Sequence, residues 1–174
     1  MAANGATHIL CHIQIPGTVN LESRCKGVED GAAEAGAKAT ILRLPTTLDG
    51  DIAGTSAAIE AELNGDPSID GVITLASWSA DAAFAAIDQL GRGDSIQLGQ
   101  FDLSPATLDR IKAGTQTMAI DQTPYYQGFL SVSTLAANID FGTKIATEPV
   151  LTGPAIVDST NIDATFAGVE AGAR

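Results

Sequence analysis

Apolar runs alternate along this chain with segments whose apolar positions recur every three or four residues. His8 to Ile15 (HILCHIQI) is apolar and β-branched and breaks at Pro16-Gly17, the pattern of a strand buried on both faces. Asn20 then stands where it can cap a helix with Leu21, Cys25, Val28, Ala32 and Ala35 on one face, stopped by Gly36. Ala39 to Pro45 reads as a second strand, and Ile52, Ile59 and Leu63 mark a second helix before the turn Asn64 to Pro67. Gly71 to Ala76 is the third strand, followed by a helix with Ala83, Ile87 and Leu90 on one face. Ser95 to Phe101 is the fourth, followed by a Ser104-Pro105 helix start and a Gly114 stop. Thr117 to Asp121 is the fifth, and after Thr123-Pro124 the longest helix runs to about Ile139.

Five strand–helix units in a row predict an α/β fold built on an open, doubly wound parallel sheet. A closed barrel of such units needs roughly 250 residues, and this chain has 174. Beyond Gly142 the pattern changes. Residues 1–147 read as one lobe, and residues 148–174 as a crossing or edge strand (Glu148 to Val157) with a loosely anchored tail to Arg174.

Composition narrows the partners. A formal charge of -12 repels phosphate backbones and anionic headgroups, so nucleic acid and membrane surfaces are not expected. No apolar run approaches the roughly 18 residues of a membrane span. Met1 to Ala6 has no basic and apolar leader pattern, so the chain expressed as given would be cytoplasmic. Cys11 lies on the first strand and Cys25 on the helix running back over it, near the same level. A bridge and a pair of buried free thiols are both open.

Ligands of an open parallel sheet sit beyond the carboxyl ends of its strands. Those ends carry Pro16, Gly17 and Asn20, then Ser77, Trp78 and Ser79, then Phe101 and Asp102, then Asp121, Gln122, Tyr125 and Tyr126. Sugar hydroxyls both donate and accept, which suits carboxylate and amide groups, and the C–H faces of a sugar ring lie well on aromatic rings. Enzyme readings lack parts. Gly91-Arg92-Gly93 follows a helix rather than a strand, no phosphate-binding loop is present, and Ser23 with Lys26 sits inside an ordinary helical pattern. His8, read as partly exposed, and His12, read as packed, would lie about 13 Å apart on a strand, too far to share a metal. Asp102 and Asp121 have no nucleophile or histidine beside them. No catalytic residue, metal or cofactor is expected, and the chain is read as not an enzyme.

The segments PGT into LESRCKG, then GQFDLSP, AIDQTPYYQG and VLTGPAIV, resemble the second half of sugar receptors of the ribose-binding-protein type, in matching order from Thr7 to Val157. The resemblance implies a type 1 periplasmic binding protein of an ABC transporter, with two α/β lobes closing on a sugar. This chain would be the C-terminal lobe, lacking its first helix. Its implied partners are a monosaccharide or related polyol, a missing N-terminal lobe and permease subunits, in a periplasmic or other extracytoplasmic setting. The ligand-binding Asp of the family falls on Asp102, behind Phe101, and the Gln on Gln122. The family's ligand-binding Arg aligns with Glu22, while Arg24 aligns with a second Arg. Where the family has an Asn-Asp pair, this chain reads Ser77-Trp78-Ser79-Ala80-Asp81 with extra residues, so Trp78 would stack where a polar group binds. Asp102, Gln122, Phe101, Ser79, Trp78, Asn20 and Glu22 are the expected ligand contacts. The absent helix would leave an apolar strip by the first strand, covered in a homodimer or by the folded-back tail. The rival from the same fold is the effector lobe of a lactose-repressor-type regulator, though no helix-turn-helix stands here.

Overall fold

The structure, a computed structural model, describes residues 1–145 and 149–174. Strands β1 (His8–Ile13), β2 (Lys38–Arg43), β3 (Gly71–Thr74), β4 (Gln97–Phe101) and β5 (Met118–Asp121) are parallel, and β6 (Ala155–Val157) joins β5 antiparallel. The sheet order is β2-β1-β3-β4-β5-β6, so the winding reverses direction between β1 and β3. Helices α1 (Val19–Glu34), α2 (Ile52–Gly65), α3 (Ser77–Gln89), α4 (Pro105–Ala113), α5 (Pro124–Phe141) and α6 (Ile162–Glu170) follow the strands in turn. This is the open doubly wound α/β lobe that the alternation predicts.

Every residue of β1 and β3 is buried, as strands covered on both faces require. Leu10, Val72 and Leu98 pack under α2 and α3 against Ile59, Leu63, Ala83 and Ile87. On the other face Ile9, Cys11, Ile13, Ile73 and Leu75 meet Leu21, Cys25 and Ala32 of α1. Each fully buried aliphatic side chain contributes about 1.5–3 kcal/mol, so these two layers dominate the stability of the lobe. Cys11 and Cys25 are joined by a disulfide with a Cα–Cα distance of 5.7 Å, which closes the alternative left by the sequence.

Several local expectations are corrected. Helix α1 starts one residue before Asn20: Gly17 reverses the chain at φ +82, Thr18 is the N-cap, and Asn20 lies exposed in the first turn. Ser77 to Ser79 form the first turn of α3 rather than a rim loop. His8 is buried, not partly exposed, with Nδ1 2.8 Å from Ser68 Oγ and Nε2 2.9 Å from Thr40 Oγ1.

The expected tail also differs. The chain after β6 forms α6, whose Ile162, Phe166 and Val169 pack on Leu108 and Ile111 of α4 over Ala119 and Val157. It is anchored, and it does not fold back beside β1. That strip is partly covered by the first residues instead. Ala2–Asn4 make one 3-10 turn, and Met1 lies over β3 and β4 so closely that a Cβ on Gly71 or Gly99 would come within 3.0 or 3.2 Å of it. The boundary expected between residues 147 and 148 lies outside the described residues. Helix α5 buries none of its residues, leaving Tyr125, Phe129, Val132, Leu135 and Ile139 in solvent.

Candidate ligand-binding site at the carboxyl rim

Strands β4 and β5 end side by side, and each passes into a left-handed non-glycine residue, Asp102 at φ 72 and Thr123 at φ 47. Such conformations are strained and persist only where their surroundings hold them. At Asp102 the hold is visible. Its N–H donates to the Ile120 carbonyl at 2.9 Å, and its own carbonyl accepts from Gln100 Nε2 at 3.0 Å. Gln100 is fully buried, and its Oε1 accepts from Gln116 Nε2 at 3.1 Å. Arg110 closes this network on Gln116 Oε1 at 2.9 Å and on Asp81 Oδ1 at 2.7 Å. The turn that presents Asp102 therefore rests on a buried, satisfied set of polar groups.

The carboxylate of Asp102 accepts from Gln122 Nε2, and Gln122 Oε1 in turn accepts from Arg24 Nη2 at 2.6 Å. The Arg24 guanidinium lies 4.4 Å from the centroid of the Phe101 ring. Four side chains from β4, β5 and α1 thus form one chain: aromatic platform, cation, amide and carboxylate. A cavity of about 440 Å³ lies beside it, lined by Arg24, Phe101, Ile120 and Gln122 and by Val150 to Pro154. Asp102 lines a second hollow of about 300 Å³ with Ser104, Asp121 and Arg174.

The structure brings Asp102, Gln122 and Phe101 together and treats the other expected contacts differently. Glu22 stands in the first turn of α1, with Oε2 accepting from Arg43 Nη2 at 2.7 Å and Oε1 from the Gly17 N–H at 3.0 Å. The Arg43 guanidinium, then the Gly17 amide, holds its carboxyl below the usual carboxylate range. Glu22 is thus engaged as a brace of the β1–α1 turn. Ser79 is fully buried, and its hydroxyl donates to the Ala76 carbonyl at 2.9 Å, so it presents nothing to a ligand in this arrangement. Trp78 is half-buried, with its ring edge-on to His12 at 6.5 Å. Tyr125 and Tyr126 project from α5 and lie about half-exposed.

Arg24 is the member that residue-type reasoning passed over. Two signals pointed to it: its place in the second turn of the helix after Gly17-Thr18, and its alignment with an arginine of the resembling family. Among the described residues no three His, Cys, Asp or Glu side chains are grouped as metal ligands. Among the described residues no helix is long and apolar enough to cross a membrane.

Known proteins resemble this lobe along most of its length. Residues 2–144 match the family described as periplasmic binding protein domain. A carbohydrate transporter from Acidothermus cellulolyticus 11B, solved in complex with myo-inositol, superposes with a TM-score of 0.85 at 34% identity, over 99% of this chain and 58% of its own. The xylose/arabinose-binding protein of Sulfolobus acidocaldarius is 25% identical over 166 residues, covering 90% of this chain and 39% of its own length. A periplasmic ribose ABC transporter from Conexibacter woesei shares the fold, with a TM-score of 0.80 at 18% identity over 97% of this chain and 55% of its own. This chain therefore spans between 39% and 58% of the length of these relatives.

Proposed function

Because the chain belongs to the periplasmic binding protein domain family, we propose that its rim holds a monosaccharide or related polyol, as one lobe of an ABC-transporter solute receptor. The observation that carries this reading is the Arg24–Gln122–Asp102 chain beside Phe101. A polyhydroxylated ligand needs acceptors and donors at one place: the carboxylate supplies the first, the guanidinium the second, and the amide both. A formal charge of -12 and the absence of a phosphate loop argue against a phosphorylated ligand. The disulfide supports an oxidising, extracytoplasmic setting. The partners follow from the same reading: a second lobe closing over the rim, and permease subunits for the two-lobed receptor. The family and relatives named above are transport receptors rather than enzymes, and they lend the repressor-type reading no support.

One open rim leaves much of a small ligand in water, so this chain is expected to bind sugars in the millimolar range or more weakly. Joining the N-terminal lobe of the Acidothermus receptor is expected to bring binding to micromolar. In that pair Asp102→Ala removes charge-assisted bonds of about 1.5–3 kcal/mol, a tenfold to hundredfold loss of affinity. Gln122→Ala removes neutral bonds and costs less, and because the two groups bond each other the double variant loses less than the sum. Titration calorimetry against pentoses, hexoses and inositols measures all of this. Unchanged affinity after Asp102→Ala would put the site elsewhere.

A further inference from the structure

Gln122 is held from its far side by Arg24, and its backbone is held from below by a set of residues that includes the end of the tail. Helix α6 closes at Ala171, Gly172 reverses the chain at φ +66, and Ala173 N–H returns to the Gly168 carbonyl at 2.9 Å. This hook lays the Arg174 stem across Gly168, where a Cβ would stand 2.8 Å from Arg174 Cδ. From there Nη1 donates to Thr165 Oγ1 at 2.7 Å, and Nε lies 3.2 Å from Asp121 Oδ2. The Asp121 side chain is only 2% exposed. Its other oxygen, Oδ1, accepts from the Thr123 N–H at 2.7 Å, across the turn that contains Gln122. That turn holds the left-handed Thr123, and the Thr152 hydroxyl donates to the Gln122 carbonyl at 3.2 Å.

We infer that Arg174 is a positioning residue for the ligand-binding amide of Gln122, acting through the buried carboxylate of Asp121. The inference rests on the binding role proposed above for Gln122. A carboxylate buried at the edge of an apolar layer of Leu108, Ala119, Val157, Phe166 and Val169 needs a charged partner to stay in place. Arg174 supplies it. Without the guanidinium, the Asp121 carboxylate loses the partner of Oδ2 and swings toward water. That movement weakens its hold on the Thr123 N–H, and the strained turn relaxes with Gln122 on it. Asparagine at position 121 keeps an oxygen for the Thr123 N–H and carries no charge, so it needs no cation.

The test compares Arg174→Met with Asp121→Asn/Arg174→Met in the full chain by nuclear magnetic resonance, with myo-inositol as the probe. In Arg174→Met the Thr123 amide is expected to exchange at least tenfold faster, the Gln122 carboxamide signals to move, and inositol affinity to fall about threefold to tenfold. The double variant is expected to regain wild-type values on all three, and Arg174→Lys, which keeps the charge and loses the fork, to fall between. Wild-type Thr123 exchange and Gln122 signals in Arg174→Met would overturn the inference. So would a double variant as impaired as the single one, since loss of tail packing would then be the cause. If inositol and the other sugars leave the Gln122 signals unmoved even after the Acidothermus N-terminal lobe is joined, the binding reading fails, while the positioning of Gln122 is still decided by exchange and shifts without ligand.

Discussion

Reduction of the Cys11–Cys25 bridge is expected to lower the unfolding free energy by about 3 kcal/mol, the chain-entropy value for a loop of this size. The two residues stand 14 apart in sequence, both fully buried, one on β1 and one on the helix that runs back over it. The bridge therefore ties α1, with Glu22 and Arg24 on its first turns, to an interior strand of the sheet. In a lobe of this size, about 3 kcal/mol corresponds to roughly 6–12 °C in melting temperature. Melting with and without reductant measures the shift. Thiol titration of unfolded, unreduced protein should find no reactive thiol, and two would show that the bridge does not form.

A second large effect is expected in acid. His12 is fully buried on β1 with Trp78 of α3 against its ring, and neither ring nitrogen has a hydrogen-bond partner among the described residues. Burial pushes its pKa down from 6.5 to about 4. The fold thus holds the neutral ring, while the unfolded chain takes up a proton on the way down from 6.5. Stability is unaffected above that pH and falls as pH drops toward 4. Below it the loss has reached about 3 kcal/mol, since each pH step between the two midpoints removes about 1.4 kcal/mol. Acidic side chains protonate in the same range, so the informative quantity is the difference between wild type and His12→Leu, whose stability curve should be flatter from pH 6.5 to 4. Equal slopes would show that the ring is not held neutral. The imidazole resonance gives an independent answer: a midpoint near 6.5 in the folded protein would also overturn the expectation.

The parallel core was legible because strands covered on both faces must be apolar at nearly every position, as β1 and β3 are. Strand-end geometry then pointed to Asp102 and Gln122, since the carboxyl ends of β4 and β5 follow directly from those runs. Ser79 differs from the rim position its place after β3 suggests because the helix takes the serines into its first turn and turns the hydroxyl onto the Ala76 carbonyl. Arg24 was hidden by its chemistry, a surface-type residue whose partners lie on β4 and β5, far along the chain. The tail escapes the sequence pattern for the same physical reason. Helix α6 is nine residues long and has Gly168 within it, so it depends on contacts with α4 and on the ion pair at Asp121 rather than on local preference.

Helix α5 has a consequence for how unfolding is observed. It is 18 residues long and buries none of them, so little couples its melting to that of the sheet. A helix of that length is marginal without tertiary support. Ellipticity at 222 nm, which sums over all helices, then mixes an uncoupled helix–coil change with the cooperative loss of the core. Trp78, the chain's single tryptophan, sits in α3 against the buried His12 and reports the core alone. The two probes trace different curves, and an all-or-none treatment holds only for the fluorescence.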